Sequence, residues 1–585
     1  MLKKYVAGIA IALTVAGFTL IQTDKVLPKA DPQNGGLYLP DGFVAKVVID
    51  SVGSTRHITV NTNGDIYAKL RSSRPGQGGT IGMRDLNNDG RVDSVVRFGN
   101  YSDVGGSAVG VTVHNGYLYT STVKQVLRNK LKAGELVPTS ETEVVLTDMD
   151  PNVARNWHTT KPLGFDKKGN MYVPFGSPSD AGQDLAKYGP IGIPNGKGLD
   201  PSPELVKHGG IWKFDANKLN QTQDDGVRYA TGIRSVVGMT WNDADDKLYA
   251  VMNGIDNFHT IYPDLFTPWQ AAVLPSEPLL RVTEGSDFGW PYAYYDHMLK
   301  KNVLQPGYGG NSKATDGRAA KFTQPVMGFP GHWAPMDVLF YKGNQFPARY
   351  KQGAFVALHG STDRSPYPQA GYIVCFVPFN KDGSAQPWEV FADGFTVVDT
   401  VVNTSDAKYR PMGLAEGPDG SLYLSDSNKG KIWRVMYNGD KTKFGPAQLA
   451  KMAQRKATRS YIKDPDPVKD NLNRGDELYG SILYKTYCAS CHQGNGKGDD
   501  SRFPPLAGSD WVLGDKERLI KAILFGLDGE IKVNGQVWNG LMPAHEGFLT
   551  DHAVASISTY IRQNFGNKAS DITGAEVAKV RKAGK

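Results

Sequence analysis

Cysteine is nearly missing from this chain, with three in 585 residues. A disulfide scaffold is thereby excluded. Long blocks of one charge are missing too. The net charge of +7 is thinly spread and no Lys/Arg run exceeds two residues, so nothing points to a nucleic-acid partner. One long apolar block occurs, "YVAGIAIALTVAGFTLI" (5–21), directly after Lys3 and Lys4. Basic residues before such a block mark an export signal, yet its 17 residues also approach a membrane span, and no A-x-A cleavage site follows. Residues 1–30 are therefore expected to be a signal peptide or an N-terminal anchor. Either one places the remainder outside the cytoplasm, periplasmic or exported.

What is abundant is glycine (67), tyrosine (27) and tryptophan (10), the material of turn-rich β structure. The length calls for two to four domains. A turn, an apolar residue and a tyrosine recur as "NGDIY" (63–67), "NGYLY" (115–119), "KGNMY" (168–172), "DDKLY" (245–249) and "DGSLY" (419–423). A looser copy, "YKQGAFVALHG" (350–360), falls before the last. The first copies stand about 53 residues apart, enough for a four-stranded blade, so residues 38–437 are expected to form a six-bladed β-propeller. Cys375, in the alternating run "GYIVCFVPF", is expected to be a buried hydrophobe.

The other two cysteines stand in "YCASCHQGNGKG" (487–498). Cys488 and Cys491 are spaced for thioether bonds to haem, and His492 follows at once to reach the iron. A redox dithiol shares the C-x-x-C spacing. The context decides for haem: helical "LYKTY" precedes, Gly-rich sequence follows, and "GLMPAH" supplies Met542 as the sixth ligand, with His545 as the rival. A carbonyl of the Pro504–Pro505 segment is expected to accept the His492 Nδ1 proton and fix its tautomer. Residues 475–567 resemble a class I cytochrome c domain, all-α, after a linker at 438–474; 568–585 read as a charged tail.

The propeller resembles the soluble pyrroloquinoline-quinone (PQQ) sugar dehydrogenases, on their sorbosone-dehydrogenase-like branch. The likeness is carried by "WHTTKPLGFDKKGNMYVPFGSPSD" (157–180), "ATGIRSVVGMTW" (230–241), "EGSDFGWPYAYYD" (284–296), "GHWAPMDVLFY" (331–341), "FPARYKQGAFVALHGSTDRS" (346–365) and "RPMGLAEGPDGSLYLSD" (410–426). The resemblance implies His158 as the base that takes the hydroxyl proton while hydride leaves carbon. It implies Arg234 as the cation facing the quinone oxygen, though Ser235 stands where the family has Asn. His332, His359, Arg364 and Arg410 are implied contacts of the PQQ carboxylates. His359 occupies a position where the sugar-oxidising relatives have lysine. Calcium held by the carbonyls of Gly254 and Ile255 is implied by the resemblance alone. The glutamine that contacts glucose would fall near Gly105, where none is present, so glucose is not assumed.

Separately, "DLNNDGRVD" places Asp85, Asn87, Asp89 and Asp93 at oxygen-ligand spacing with Gly90 at the turn. Position twelve is Val96 rather than Glu, so a structural calcium site and a plain Asn-Asp-Gly hairpin both stand. The chain as a whole reads as a quinohaemoprotein that oxidises a sugar or related aldehyde through PQQ and passes electrons to its own haem c, then to a downstream acceptor. The rivals are a lactonase-like propeller, or a non-catalytic one, carrying an electron-transfer domain.

Overall fold

The computed structural model describes residues 27–463 and 477–584, apart from 72–77, 102, 104–106, 154–155, 257, 365–366, 402 and 500–501. The N-terminal apolar block, Gly105 and residues 464–474 of the expected linker lie outside the described residues. Six sheets of four or five strands follow one another along 43–437. Each repeated turn-apolar-Tyr motif opens the second strand of a blade: Ile66–Leu70, Tyr117–Ser121, Asn170–Phe175, Lys247–Met252 and Leu422–Asp426. The looser copy supplies Gly353–Leu358, the second strand of the fifth blade. The period of the sequence is thus the period of the propeller.

Ring closure comes from the N-terminus. The strand Phe43–Ile49 pairs antiparallel with Ile432–Tyr437 and completes the last blade, so the two ends of the propeller share one sheet. Trp433 anchors this seam, 1% exposed, edge-on to Phe395 and Tyr409. Cys375 is fully buried in the fifth blade, where burial raises its thiol pKa.

Three features depart from the sequence reading. Within 438–474, Pro446–Thr458 is a helix whose Met452, with Tyr461 and Ile462, joins the core of the fifth blade. Only Met452 on that helix is buried, which is why its charged composition read as a linker. In the expected tail, Gly574–Ala583 is a helix with a Thr573–Glu576 capping box, burying Val577 and Val580 in the haem-domain core. Inside the cytochrome c domain, a hairpin of Leu527–Val533 and Gln536–Met542 interrupts the helices, and Met542 is its last residue. No helix among the described residues is long and apolar enough to cross a membrane.

Candidate functional site

First and second strands of a blade run antiparallel, so the start of the first lies beside the end of the second. The pairs Thr55↔Leu70, Val236↔Met252, Pro335↔Leu358 and Pro411↔Asp426 mark that end of the propeller. Residues just before a first strand and just after a second strand therefore meet on one face around the channel. His158, Arg234, His332 and Arg410 come from the first group. Ser177–Asp180, Asn253–Asp256, His359–Arg364 and Ser427 come from the second. Pattern alone brings these scattered segments together.

His158 is buried and its Nδ1–H donates to the carbonyl of Ser177 at 2.5 Å. That bond leaves Nε2 with its lone pair, 3.9 Å from Asp180 Oδ1. Burial, reinforced by the Arg234 charge, lowers the His158 pKa to about 4, so the ring is neutral near pH 7. The guanidinium of Arg234 is 2% exposed and bonds Asp180 Oδ1 at 2.5 Å, Asp256 Oδ2 at 3.1 Å and the Gly254 carbonyl. Burial alone would lower its pKa, but Asp180 and Asp256 outweigh that and raise it, so the charge is fixed. Its Nε has no hydrogen-bond partner. Ser235 is buried and its carbonyl accepts from Asn253 N at 3.0 Å.

A second, mainly cationic group is built around His359. Arg410 donates through Nε to the His359 carbonyl at 3.2 Å and through a terminal nitrogen to that of Gly360. His359 Nε2 pairs with Ser427 Oγ at 2.6 Å, and burial beside Arg410 and Arg56 holds its pKa well below the usual value. Arg56 and Arg71 complete the cluster. Burial and mutual repulsion bring Arg56 down to about 10, and burial does the same for Arg410. Arg364 is fully buried, with Nε on the Ala272 carbonyl at 3.1 Å. The partly buried Arg56 and Arg410 and the exposed Arg71 gather around a neutral imidazole, a donor set suited to carboxylates, as a PQQ-like tricarboxylate requires.

Sequence reasoning missed Arg56, Arg71, Asp180, Asp256, Glu277 and Asp363. Burial and then Asp256 push Glu277 up to about 8, and burial and then Asp256 push Asp363 up to about 6. A usable signal existed: Arg71, Asp180, Asp256 and Asp363 each follow the second strand of a blade by one to five residues. In "DLNNDGRVD" the side chains serve the turn itself. Asp85 accepts from Gly90 N, Asn87 from Asp89 N, Asp89 from Arg91 N and Asp93 from Leu86 N.

In the C-terminal domain a cleft is lined by Cys488, Cys491, His492, Trp538, Met542 and His545. His492 Nδ1–H donates to the Pro504 carbonyl at 2.9 Å, which leaves Nε2 for iron. His545 is buried, with Nδ1 3.2 Å from the Ile523 carbonyl. Both candidate sixth ligands therefore face one crevice.

Residues 37–438 match the model of the family described as TrAA12-like. The chain belongs to that family. Residues 478–565 match the cytochrome c model. Among solved structures, the TrAA12-like propeller is similar to the holo form of the pyranose dehydrogenase PQQ domain from Coprinopsis cinerea, with TM-score 0.53, 19% identity, 70% of this chain and 98% of that one. A PQQ-dependent pyranose dehydrogenase of the same organism is 28% identical over 260 residues, 38% of this chain and 34% of its own length. Cytochrome c-552 of Thermus thermophilus is 37% identical over 111 residues, 17% of this chain and 83% of its own. The chain spans under half the length of the longer curated relatives it matches.

Proposed function

We propose that this TrAA12-like propeller oxidises a sugar or a related aldehyde with PQQ and delivers the electrons to the haem c of the same chain. The observation that carries the reading is the neutral His158, its Nε2 lone pair open beside the fixed charge of Arg234, in a chain that also holds a C-x-x-C-H crevice. PQQ, when bound, supplies a two-electron acceptor, and haem c a one-electron outlet. His158 Nε2 takes the proton of the substrate hydroxyl. Arg234 presents a cation where negative charge accumulates, with Asp180 and Asp256 holding it in place. Arg56, Arg71 and Arg410 would hold the cofactor carboxylates, with Arg364 and His359 beside them.

Contacts between the two parts support an internal relay. Tyr487, the residue before Cys488, hydrogen-bonds Tyr367 of the propeller, and Arg502 of the haem crevice lies 4.0 Å from Asp406. The sixth iron ligand in this reading is Met542. The apolar N-terminal block exports the chain or tethers it to the membrane, where a downstream acceptor collects the electrons. In protein reconstituted with PQQ and calcium and kept free of oxygen and dyes, an aldose or aldehyde substrate is expected to reduce the haem, seen in its visible bands. A haem that stays oxidised while an added dye is turned over would overturn the relay; no turnover of any aldose or aldehyde would overturn the enzyme.

A further inference from the structure

His332 sits just before the first strand of the fifth blade, 3% exposed, with its backbone in the left-handed region (φ 65°). Its Nε2 lies 2.7 Å from the carbonyl of Ala271, an acceptor only, so Nε2 carries the proton. Nδ1 is then a bare lone pair, and it is a buried atom without a hydrogen-bond partner. It points toward Asp256 Oδ1 at 3.9 Å, too far for a hydrogen bond. Asp256 is divided between two tasks, because its other oxygen already takes the Arg234 guanidinium. The carboxylate of the exposed Asp363 completes the group, and the three donor atoms all lie within 4.8 Å of one another. No other such group of three occurs among the described residues.

From this we infer that Asp256, His332 and Asp363 form a side-chain site for one divalent transition ion of the zinc class. A lone-pair acceptor facing a carboxylate oxygen at 3.9 Å is repulsive unless a proton or a metal cation joins them. Two ligand bonds of about 2.1 Å span separations up to about 4.2 Å, so an ion fits there with little movement. The second-nitrogen bond to a backbone carbonyl is the device that orients a metal-bound imidazole. One imidazole and two carboxylates favour a borderline ion over calcium or magnesium, which take oxygen alone. The carbonyl of Gly254, which the family resemblance offers to calcium, is engaged by Arg234. The ion would sit one residue beyond the Gly254–Ile255 pair, on the same loop.

The inference builds on the reading of this face as the quinone site, but its test does not need PQQ. Haem-loaded, PQQ-free protein is stripped with chelator and titrated with Zn²⁺ and, separately, Ca²⁺, while bound metal and heat are measured. One Zn²⁺ per chain beyond the haem iron is expected, bound at least tenfold more tightly than Ca²⁺. His332→Gln and Asp363→Asn should each weaken Zn²⁺ binding at least tenfold. Asp363 is exposed, so its variant keeps the test alive should the buried histidine prove necessary for folding. Absence of stoichiometric Zn²⁺, binding unchanged in Asp363→Asn, or tighter binding of Ca²⁺ would each overturn the site. Failure of PQQ to bind in a parallel titration would strike the quinone reading and leave this one intact.

Discussion

At the residue scale, the proposed role of His158 as a base rests on what its other nitrogen does. Were Nδ1 not committed to the Ser177 carbonyl, the ring could turn its proton toward the substrate and lose the lone pair. His158→Ala should leave PQQ bound, since the carboxylate contacts lie on other blades, and lower turnover by about two to four orders of magnitude. Retained cofactor and rate are measured separately; near-normal turnover at full occupancy would remove the role. Burial and Arg234 also fix the pH response. The acid limb of kcat/KM should lie near pH 4 rather than near 6.5. The same shift acts on stability. The unfolded imidazole takes its proton near 6.5 and the folded one near 4, so this contribution is complete above 6.5 and is lost as pH falls toward 4. Arg234 is less separable. Removing it leaves Asp180 and Asp256 without their shared cation, which costs about 3–5 kcal/mol in buried pairs, so Arg234→Ala should unfold at markedly lower temperature as well as lose activity. His158 and Arg234 were legible because each sits in a distinctive segment. The carboxylates around them were not, since an aspartate after a strand looks like any turn until the ring brings three blades together.

At the element scale, the repeat that was legible is the second strand of each blade, because its tyrosine and preceding turn recur in one register. The closing strand Phe43–Ile49 carries no such signature and shows itself only by pairing with Ile432–Tyr437. Trp433→Ala at that seam removes a buried ring held by two edge contacts, and should cost about 3–5 kcal/mol of propeller stability. Calorimetry should show the propeller transition lowered while the haem bands keep their own unfolding temperature. The helix Gly574–Ala583 escaped notice because two valines three apart make too short a stripe to rise above its charged residues. Val577→Asp places an unpaired carboxylate in the haem-domain core, so that domain should be the one to melt earlier.

At the scale of the whole molecule, the proposed function joins a two-electron oxidant and a one-electron carrier in one chain, and their coupling depends on the potential of the iron. Thioether ligation stabilises ferrous haem and raises that potential. Met542 ends the hairpin that borders the crevice, and His545 lies three residues on, buried, lining the same cleft. Met542→Ala should therefore abolish the sulfur-to-iron absorption band and lower the haem potential, which weakens the pull on electrons leaving the propeller. The catalytic face is untouched by this change, so dye-mediated turnover should stay at the level of the parent protein. Substrate-driven reduction of the haem should slow in the same sample. That divergence separates a relay from two independent activities on one chain: parallel loss of both rates would mean that the hairpin supports the propeller itself. An unchanged absorption band would hand the sixth position to His545. The potential would then be set by two imidazoles, and reduction by substrate should proceed in the variant as in the parent.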